Sequence, residues 1–79
     1  MEKEDILAAV NAIFVDVLDN EDIKVGYETI ANDVEDWDSL THIELVVAIE
    51  KHFKIRFTSQ DIMRWENVGE MIDCILRKI

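Results

Sequence analysis

The sequence predicts an all-α fold, a small four-helix bundle with three main helices, one short helix and a long loop between the first two. In three segments apolar residues recur at spacings of three and four, as they do on the buried face of a helix. Capping patterns precede the short helix and the last helix. The length of 79 residues is that of one domain, so we expect a single domain over residues 1–79.

Apolar stripes place the three main helices. The first is predicted over roughly residues 4–18 and carries Ile6, Leu7, Val10, Ile13, Phe14, Val17 and Leu18. The second is predicted from about Ser39 to Phe53. The last carries Val68, Met71, Ile72, Ile75, Leu76 and Ile79. Arg77 and Lys78 suit its C-terminal end, where the helix dipole favours positive charge.

Capping residues mark where the two later helices begin. Thr58 and Asp61 have the spacing of a capping box and predict a short helix that ends near Trp65. Asn67 and Glu70 have the same spacing and stand just before the last helix, so we expect them to cap it.

Residues 19–38 form a long connection, and such segments are usually functional or have structure of their own. Six apolar residues are expected to hold it against the helices, namely Ile23, Val25, Tyr27, Ile30, Val34 and Trp37. The segments "IKVGY" and "FKIRF" alternate with a period of two and could instead pair as strands of an α+β domain. We prefer the all-α fold because two isolated strands are only marginally stable.

Charge points to basic partners. The formal net charge is −10. Residues 1–50 hold 14 acidic and 2 basic residues, a net of −12, whereas residues 51–79 hold 4 acidic and 6 basic residues, a net of +2. We expect no nucleic-acid partner, because binding phosphates requires a basic surface. The acidic part either attracts partners rich in Lys and Arg or only keeps the domain soluble.

The sequence also bears on the compartment. No run of eighteen or more apolar residues occurs, so no membrane span is predicted. The N-terminus lacks the apolar run and cleavage site of a secretory signal. Cys74 is the one cysteine and cannot form an internal disulfide, which fits the reducing cytoplasm. It lies in the apolar pattern of the last helix, where we expect it to be buried.

Residue spacing argues against a metal site and against catalysis. One cysteine and two histidines lack the ligand spacing of a zinc site. Asp33 and Glu44 are spaced as the first and last ligands of an EF-hand loop, but a tryptophan and an aspartate stand where a ligand and a glycine are required. Ser39 and His42 lack the orienting group and the oxyanion site that a hydrolase needs.

The predicted second helix has two apolar stripes. One is expected to face the core and comprises Leu45, Ile49 and Phe53. The other, here called the outer strip, lies on a different side beside Glu44 and comprises Leu40, Ile43 and Val47. An exposed apolar strip with an acidic rim is typical of a surface that binds a protein partner. Val46 and Ala48 make the helix apolar nearly all round, which would instead fit deeper burial.

The motif Asp38-Ser39-Leu40, followed by "THIELVVAIEKHF", resembles the acyl carrier protein family. Asp38 or Ser39 could cap a helix in any protein, but the resemblance extends over essentially the whole chain. It implies that the Ser39 hydroxyl is esterified to the phosphate of 4′-phosphopantetheine, donated from coenzyme A by a phosphopantetheinyl transferase. An exposed serine at a helix N-terminus suits a phosphate, because the dipole and the N–H groups tolerate it.

The resemblance also implies a function without catalysis. The thiol of the arm would hold acyl intermediates as thioesters and deliver them to partner enzymes in fatty-acid, polyketide or related biosynthesis. The resemblance assigns Asp38, Ser39 and Leu40 to binding of the cofactor. The residues that it assigns to partner binding are Leu40, Ile43, Glu44, Val47 and Glu50. The implied partners are the transferase and acyl-transferring or condensing enzymes with basic surfaces, and we expect a monomer.

The chain departs from the family pattern at two places. Asp36 and Trp37 precede Asp38 where members often have a glycine, and we expect Trp37 to pin the loop onto the bundle. In the family, the end of the second helix is usually acidic. Here the corresponding segment is basic and contains Lys51, His52, Lys54 and Arg56. These departures fit a specialised, stand-alone carrier at least as well as one of housekeeping fatty-acid synthesis.

Two alternatives remain open. One is a peptidyl or aminoacyl carrier, which would use the same arm. The other is an unmodified acidic helical adaptor that binds a protein through the outer strip. The carrier requires the hydroxyl of Ser39 and the adaptor does not.

Overall fold

The computed structural model describes residues 2–79 and consists of helices joined by irregular connections. In chain order the elements are α1 (Lys3–Leu18), a 3₁₀ turn (Ala31–Asp33), α2 (Ser39–Phe53), α3 (Ser59–Arg64) and α4 (Val68–Lys78). No strand occurs in residues 2–79, so the all-α prediction is confirmed and the α+β alternative is wrong. Nor does any helix of this range combine the length and apolar character needed to cross a membrane.

The core lies between α1, α2 and α4, with α1 in contact with both other helices and α3 against α4. Its fully buried side chains are Ile6, Val10, Phe14, Leu45, Ile49, Val68, Met71, Ile72 and Ile75. Burying one such side chain contributes about 1.5–3 kcal/mol. Cys74 is buried as predicted. Ile13 and Val17 are only half-buried, because the inward face of α1 repeats every four residues through Ile6, Val10 and Phe14.

The long loop between α1 and α2 is tied down through its backbone. The N–H of Val25 donates to the Asn11 side chain at 2.7 Å. At the start of α4, the Val68 N–H donates to Thr29 O at 2.9 Å and the Gly69 N–H to Tyr27 O at 2.7 Å. Of the six predicted apolar anchors, Val25 and Trp37 are buried and Ile23 and Val34 are half-buried, but Tyr27 and Ile30 are exposed. Hydrogen bonds therefore hold the part of the loop where apolar burial is missing.

Trp37 fastens the end of this loop to the core. It is 9% exposed, and its ring meets Phe14 of α1 edge-on with centroids 4.9 Å apart. Its indole N–H donates to Nδ1 of His42 at 3.0 Å, and the two rings are stacked with centroids 5.9 Å apart. Trp37 thus pins the loop to the bundle, as predicted.

The predicted capping box of α3 and the predicted N-cap Asn67 of α4 are present, whereas the Glu70 carboxylate accepts the N–H of Glu66 and not that of Asn67. Thr58 Oγ1 accepts the Asp61 N–H at 3.1 Å, and the Asp61 carboxylate accepts the Thr58 N–H at 2.9 Å. Asn67 Oδ1 accepts the Glu70 N–H at 2.9 Å. These bonds satisfy N–H groups that have no partner within their own helix.

We predict that Gly69→Ala destabilises the fold. A Cβ at this position would lie 2.7 Å from Tyr27 O and 3.2 Å from the capping Oδ1 of Asn67. Such overpacking costs about 1–3 kcal/mol, whereas alanine favours a helix over glycine by only ~1 kcal/mol. Denaturant unfolding should therefore show a net loss of stability. The matched control is Gly26→Ala, whose Cβ would meet only Thr29 Oγ1 at 3.9 Å. Unchanged or increased stability of Gly69→Ala would contradict the close approach of loop and helix.

We predict that stability falls as pH drops from about 7 to 5.5 because of His42. Burial disfavours the charged imidazolium and lowers the pKa of His42 from its ordinary value of 6.5. The unfolded chain therefore binds the proton first as pH falls through 6.5, and this draws the equilibrium toward unfolding. Protonation of Nδ1 would also break the bond from Trp37.

Tryptophan fluorescence during urea unfolding at several pH values would measure this dependence. His42→Gln should be less stable near neutral pH but should flatten the slope between pH 7 and 5.5. His52, exposed on the same helix, supplies the control, because His52→Gln should keep the slope. An unaltered slope in His42→Gln would refute the assignment.

Candidate functional site

Asp38 begins α2 and so decides where Ser39 lies. Its Oδ1 accepts the backbone N–H groups of Leu40 and Thr41, both at 2.9 Å. The Thr41 hydroxyl accepts the Asp38 N–H at 2.8 Å and completes a capping box. The bond from Thr41 is the main reason that the pKa of Asp38 lies below its usual value. Of the two residues considered as caps, Asp38 is the cap and Ser39 is the first residue of the helix.

Ser39 is exposed at this helix terminus. Because Asp38 turns the chain into the helix directly before it, the Ser39 side chain leaves the first turn without contributing to the core. The N-terminal end of a helix dipole favours a negatively charged group. An exposed hydroxyl in this position can therefore be esterified to a phosphate without burying that charge.

A cavity of about 540 Å³ opens beside Ser39. Its lining comes from the 3₁₀ turn, the end of the loop before α2, the start of α2, the connection from α3 to α4, and α4 itself. The lining residues are Ala31, Asn32, Trp37, Asp38, Ser39, His42, Trp65, Glu66, Asn67 and Met71. Three of these residues, Trp37, His42 and Trp65, carry aromatic rings. A group attached to Ser39 would therefore meet a partly apolar recess within its first few bonds.

His42 is not placed to act as a general base for Ser39. Its Nδ1 already accepts the indole N–H of Trp37 at 3.0 Å. In a neutral imidazole with Nδ1 as acceptor, Nε2 carries the proton and is a donor. Neither nitrogen can then take the hydroxyl proton of Ser39, and burial opposes the charged imidazolium. Ser39 and His42 therefore do not form a Ser–His pair of the kind that a hydrolase uses.

The outer strip is exposed on α2. Leu40, Ile43 and Val47 are 69%, 62% and 43% exposed. Glu44 is exposed beside them, whereas Val46 is buried. The alternative of deeper burial is therefore wrong for this side of the helix. Three large apolar side chains in a row on one helix face form a surface suited to a partner.

Glu50 was predicted among the partner contacts, but its carboxylate has a role within the fold. It accepts the backbone N–H of Phe57 at 2.8 Å and is half-buried. The bond ties the connection after α2 back onto that helix. The chain turns there at Lys54, which has the left-handed φ of 58°. This second role depends on a turn that spacing along the sequence does not reveal.

Trp65 is a site residue that the sequence did not indicate. It stands at the C-terminal end of α3, and its ring faces His42 edge-on at 6.1 Å and Phe57 at 4.8 Å. Its Nε1 is buried and makes no hydrogen bond within residues 2–79. No motif links Trp65 to Ser39.

Within residues 2–79, no group of three or more His, Cys, Asp or Glu side chains is placed to hold a metal ion.

Comparisons with known proteins agree with this geometry. Residues 8–75 match the family model described as "Phosphopantetheine attachment site". The solution structure of the holo acyl carrier protein of Geobacter metallireducens superimposes with a TM-score of 0.87 at 40% sequence identity, covering 92% of this chain and 84% of that one. The resemblance stated from the sequence is thus confirmed: this chain belongs to the phosphopantetheine attachment-site family and has the fold of an acyl carrier protein.

Proposed function

We propose that this protein is an acyl carrier whose Ser39 bears 4′-phosphopantetheine. One observation carries the assignment of the residue: Ser39 is exposed as the first residue of α2, beside an open cavity, in a chain of the phosphopantetheine attachment-site family. When bound, the arm supplies a terminal thiol that holds an acyl group as a thioester.

The chemistry at Ser39 is a phosphoryl transfer. Its Oγ forms a bond to the phosphorus next to pantetheine in coenzyme A and loses its proton to a base of the transferase. The bond to the departing nucleotide phosphate breaks, and adenosine 3′,5′-bisphosphate leaves. Asp38 holds the first turn of α2 in place through its bonds to Leu40 and Thr41. His42 is held as a donor by Trp37, so we assign the base to the transferase and expect the protein to act as a carrier without catalysis of its own.

The partners would approach along α2. They are the phosphopantetheinyl transferase and acyl-transferring or condensing enzymes that present Lys and Arg around an apolar centre. The outer strip would provide most of the affinity, and Glu44 with the net charge of −12 in residues 1–50 would speed the encounter. The single cysteine, Cys74, is buried and free, as the reducing cytoplasm allows. We place the carrier there as a monomer.

We predict that Ser39→Ala abolishes modification. The intact mass of the wild-type protein should rise by one phosphopantetheine after incubation with coenzyme A and a broad-specificity phosphopantetheinyl transferase, and the variant should show no gain. Ser59 is the matched control, since it is also an exposed first residue of a helix that follows a capping side chain. Ser59→Ala should be modified fully. A mass gain in Ser39→Ala would place the arm elsewhere, and no gain in the wild type would favour the adaptor.

We predict that Glu44→Lys slows modification by about tenfold at low salt, because it reverses the charge beside the outer strip and weakens steering of a basic transferase. The measurement is kcat/KM for the transferase at several ionic strengths, with circular dichroism to verify the fold. Glu21→Lys makes the same change of charge in the exposed loop after α1 and should have a much smaller effect. Equal rates for both variants would show that only net charge matters and would argue against α2 as the contact.

A further inference from the structure

A basic cluster lies at the C-terminal end of α2 in an otherwise acidic protein. Lys51, Lys54 and Arg56 are all exposed. The ion pairs found within residues 2–79 join Lys3 to Asp73 and Lys78 to Asp61, so the cluster takes part in neither. Positive charge at a helix C-terminus is favoured by the dipole, but this effect falls off within the last turn. It accounts for two of the three cations and not for Arg56, which follows the helix.

The cluster surrounds a cavity of about 530 Å³. The lining consists of Val47, Glu50, Lys51, Lys54, Ile55 and Arg56. Two of these residues are aliphatic and three are cationic. Glu50 is the one acid among them, and its carboxylate accepts the N–H of Phe57 at 2.8 Å. The recess therefore combines an apolar wall with a net positive rim.

The outer strip runs into this recess. Leu40, Ile43, Val47 and Lys51 follow one another at spacings of three and four, which places them on one face of α2, and Lys54 directly follows the helix. Val47 belongs both to the strip and to the lining of the cavity. A protein that covers the strip therefore reaches the basic cluster along the same helix, and the face it meets changes from acidic beside Glu44 to basic at the far end.

We propose that this cavity docks an acidic segment of a protein partner, with an apolar side chain against Val47 and Ile55 and carboxylates on the surrounding cations. Arg56 can bind a carboxylate through two parallel N–H bonds, and the lysines act as compact charges. The proposal rests on the proposed use of α2 as the partner face. It goes beyond that use, because it requires partners to carry acidic groups at one end of their contact and basic groups at the other.

Peptide binding tests the docking site separately from modification. A short synthetic peptide that alternates leucine and glutamate is titrated into the full isotope-labelled protein, and amide shifts are followed by NMR. Its counterpart has glutamine in place of every glutamate. Shifts are expected at Val47 and through residues 51–56, and the glutamine peptide should bind about tenfold more weakly, since each exposed charge pair changes affinity by up to about fivefold.

Two double variants with the same change in net charge distinguish binding by the basic cluster from an effect of the protein's overall charge. Lys51→Glu with Arg56→Glu should remove the preference for the glutamate peptide. Lys54 stays unchanged because it ends α2 in the left-handed conformation. Lys24→Glu with Arg77→Glu makes the same change of charge at exposed positions outside the cavity and should retain the preference. Mass gain at Ser39 is measured on the same samples, so a failed carrier function and a failed docking site give different results.

Three outcomes would overturn the proposal. The first is equal affinity for the two peptides, and the second is an equal loss in both pairs of variants. The third is a preference for an anion other than the acidic peptide. Inorganic phosphate at matched ionic strength would then displace the peptide, or phosphatidylglycerol vesicles would bind through residues 51–56 more tightly than the peptide does.

Discussion

The burial of Trp37 is the constraint on which the presentation of Ser39 depends. Its ring meets Phe14 in the core and its indole N–H bonds to His42, so the end of a long loop is fastened to both α1 and α2. Asp38 follows at once and caps the helix. Trp37 therefore points into the core, Asp38 caps the helix, and Ser39 faces solvent. The position of the serine is thus set by the packing of Trp37 two residues before it.

Helix α2 contributes one face to the core and presents a second apolar face to solvent. Leu45 and Ile49 are fully buried against the core, whereas Leu40 and Ile43 are largely exposed. The exposed apolar side chains do not help to stabilise the fold, and their presence is explained if a partner covers them. On the docking proposal above, the basic end of the same helix would further restrict which partners fit. One helix would then contribute to the core through one face and to the choice of partner through the other.

The helices and the core could be predicted from the sequence because they follow local rules. Periodic apolar residues placed α1, α2 and α4, and the pair Thr58 and Asp61 placed the start of α3 within one turn. The wall of the cavity could not be predicted, because Trp65 reaches His42 only through the path of two connections. The bond from Phe57 to Glu50 likewise depends on a turn at Lys54. Contacts between distant residues with no shared motif require the three-dimensional structure.

We expect an arm on Ser39 to stand at the mouth of the cavity between α2 and the connection from α3 to α4. Comparison of amide chemical shifts in the unmodified and the phosphopantetheine-bearing protein tests it most directly. The largest changes in chemical shift should fall at residues 38–42, with smaller ones across the cavity at Asn32, Trp65 and Asn67. Changes centred on Ser59 and α3, with residues 38–42 unaffected, would contradict it.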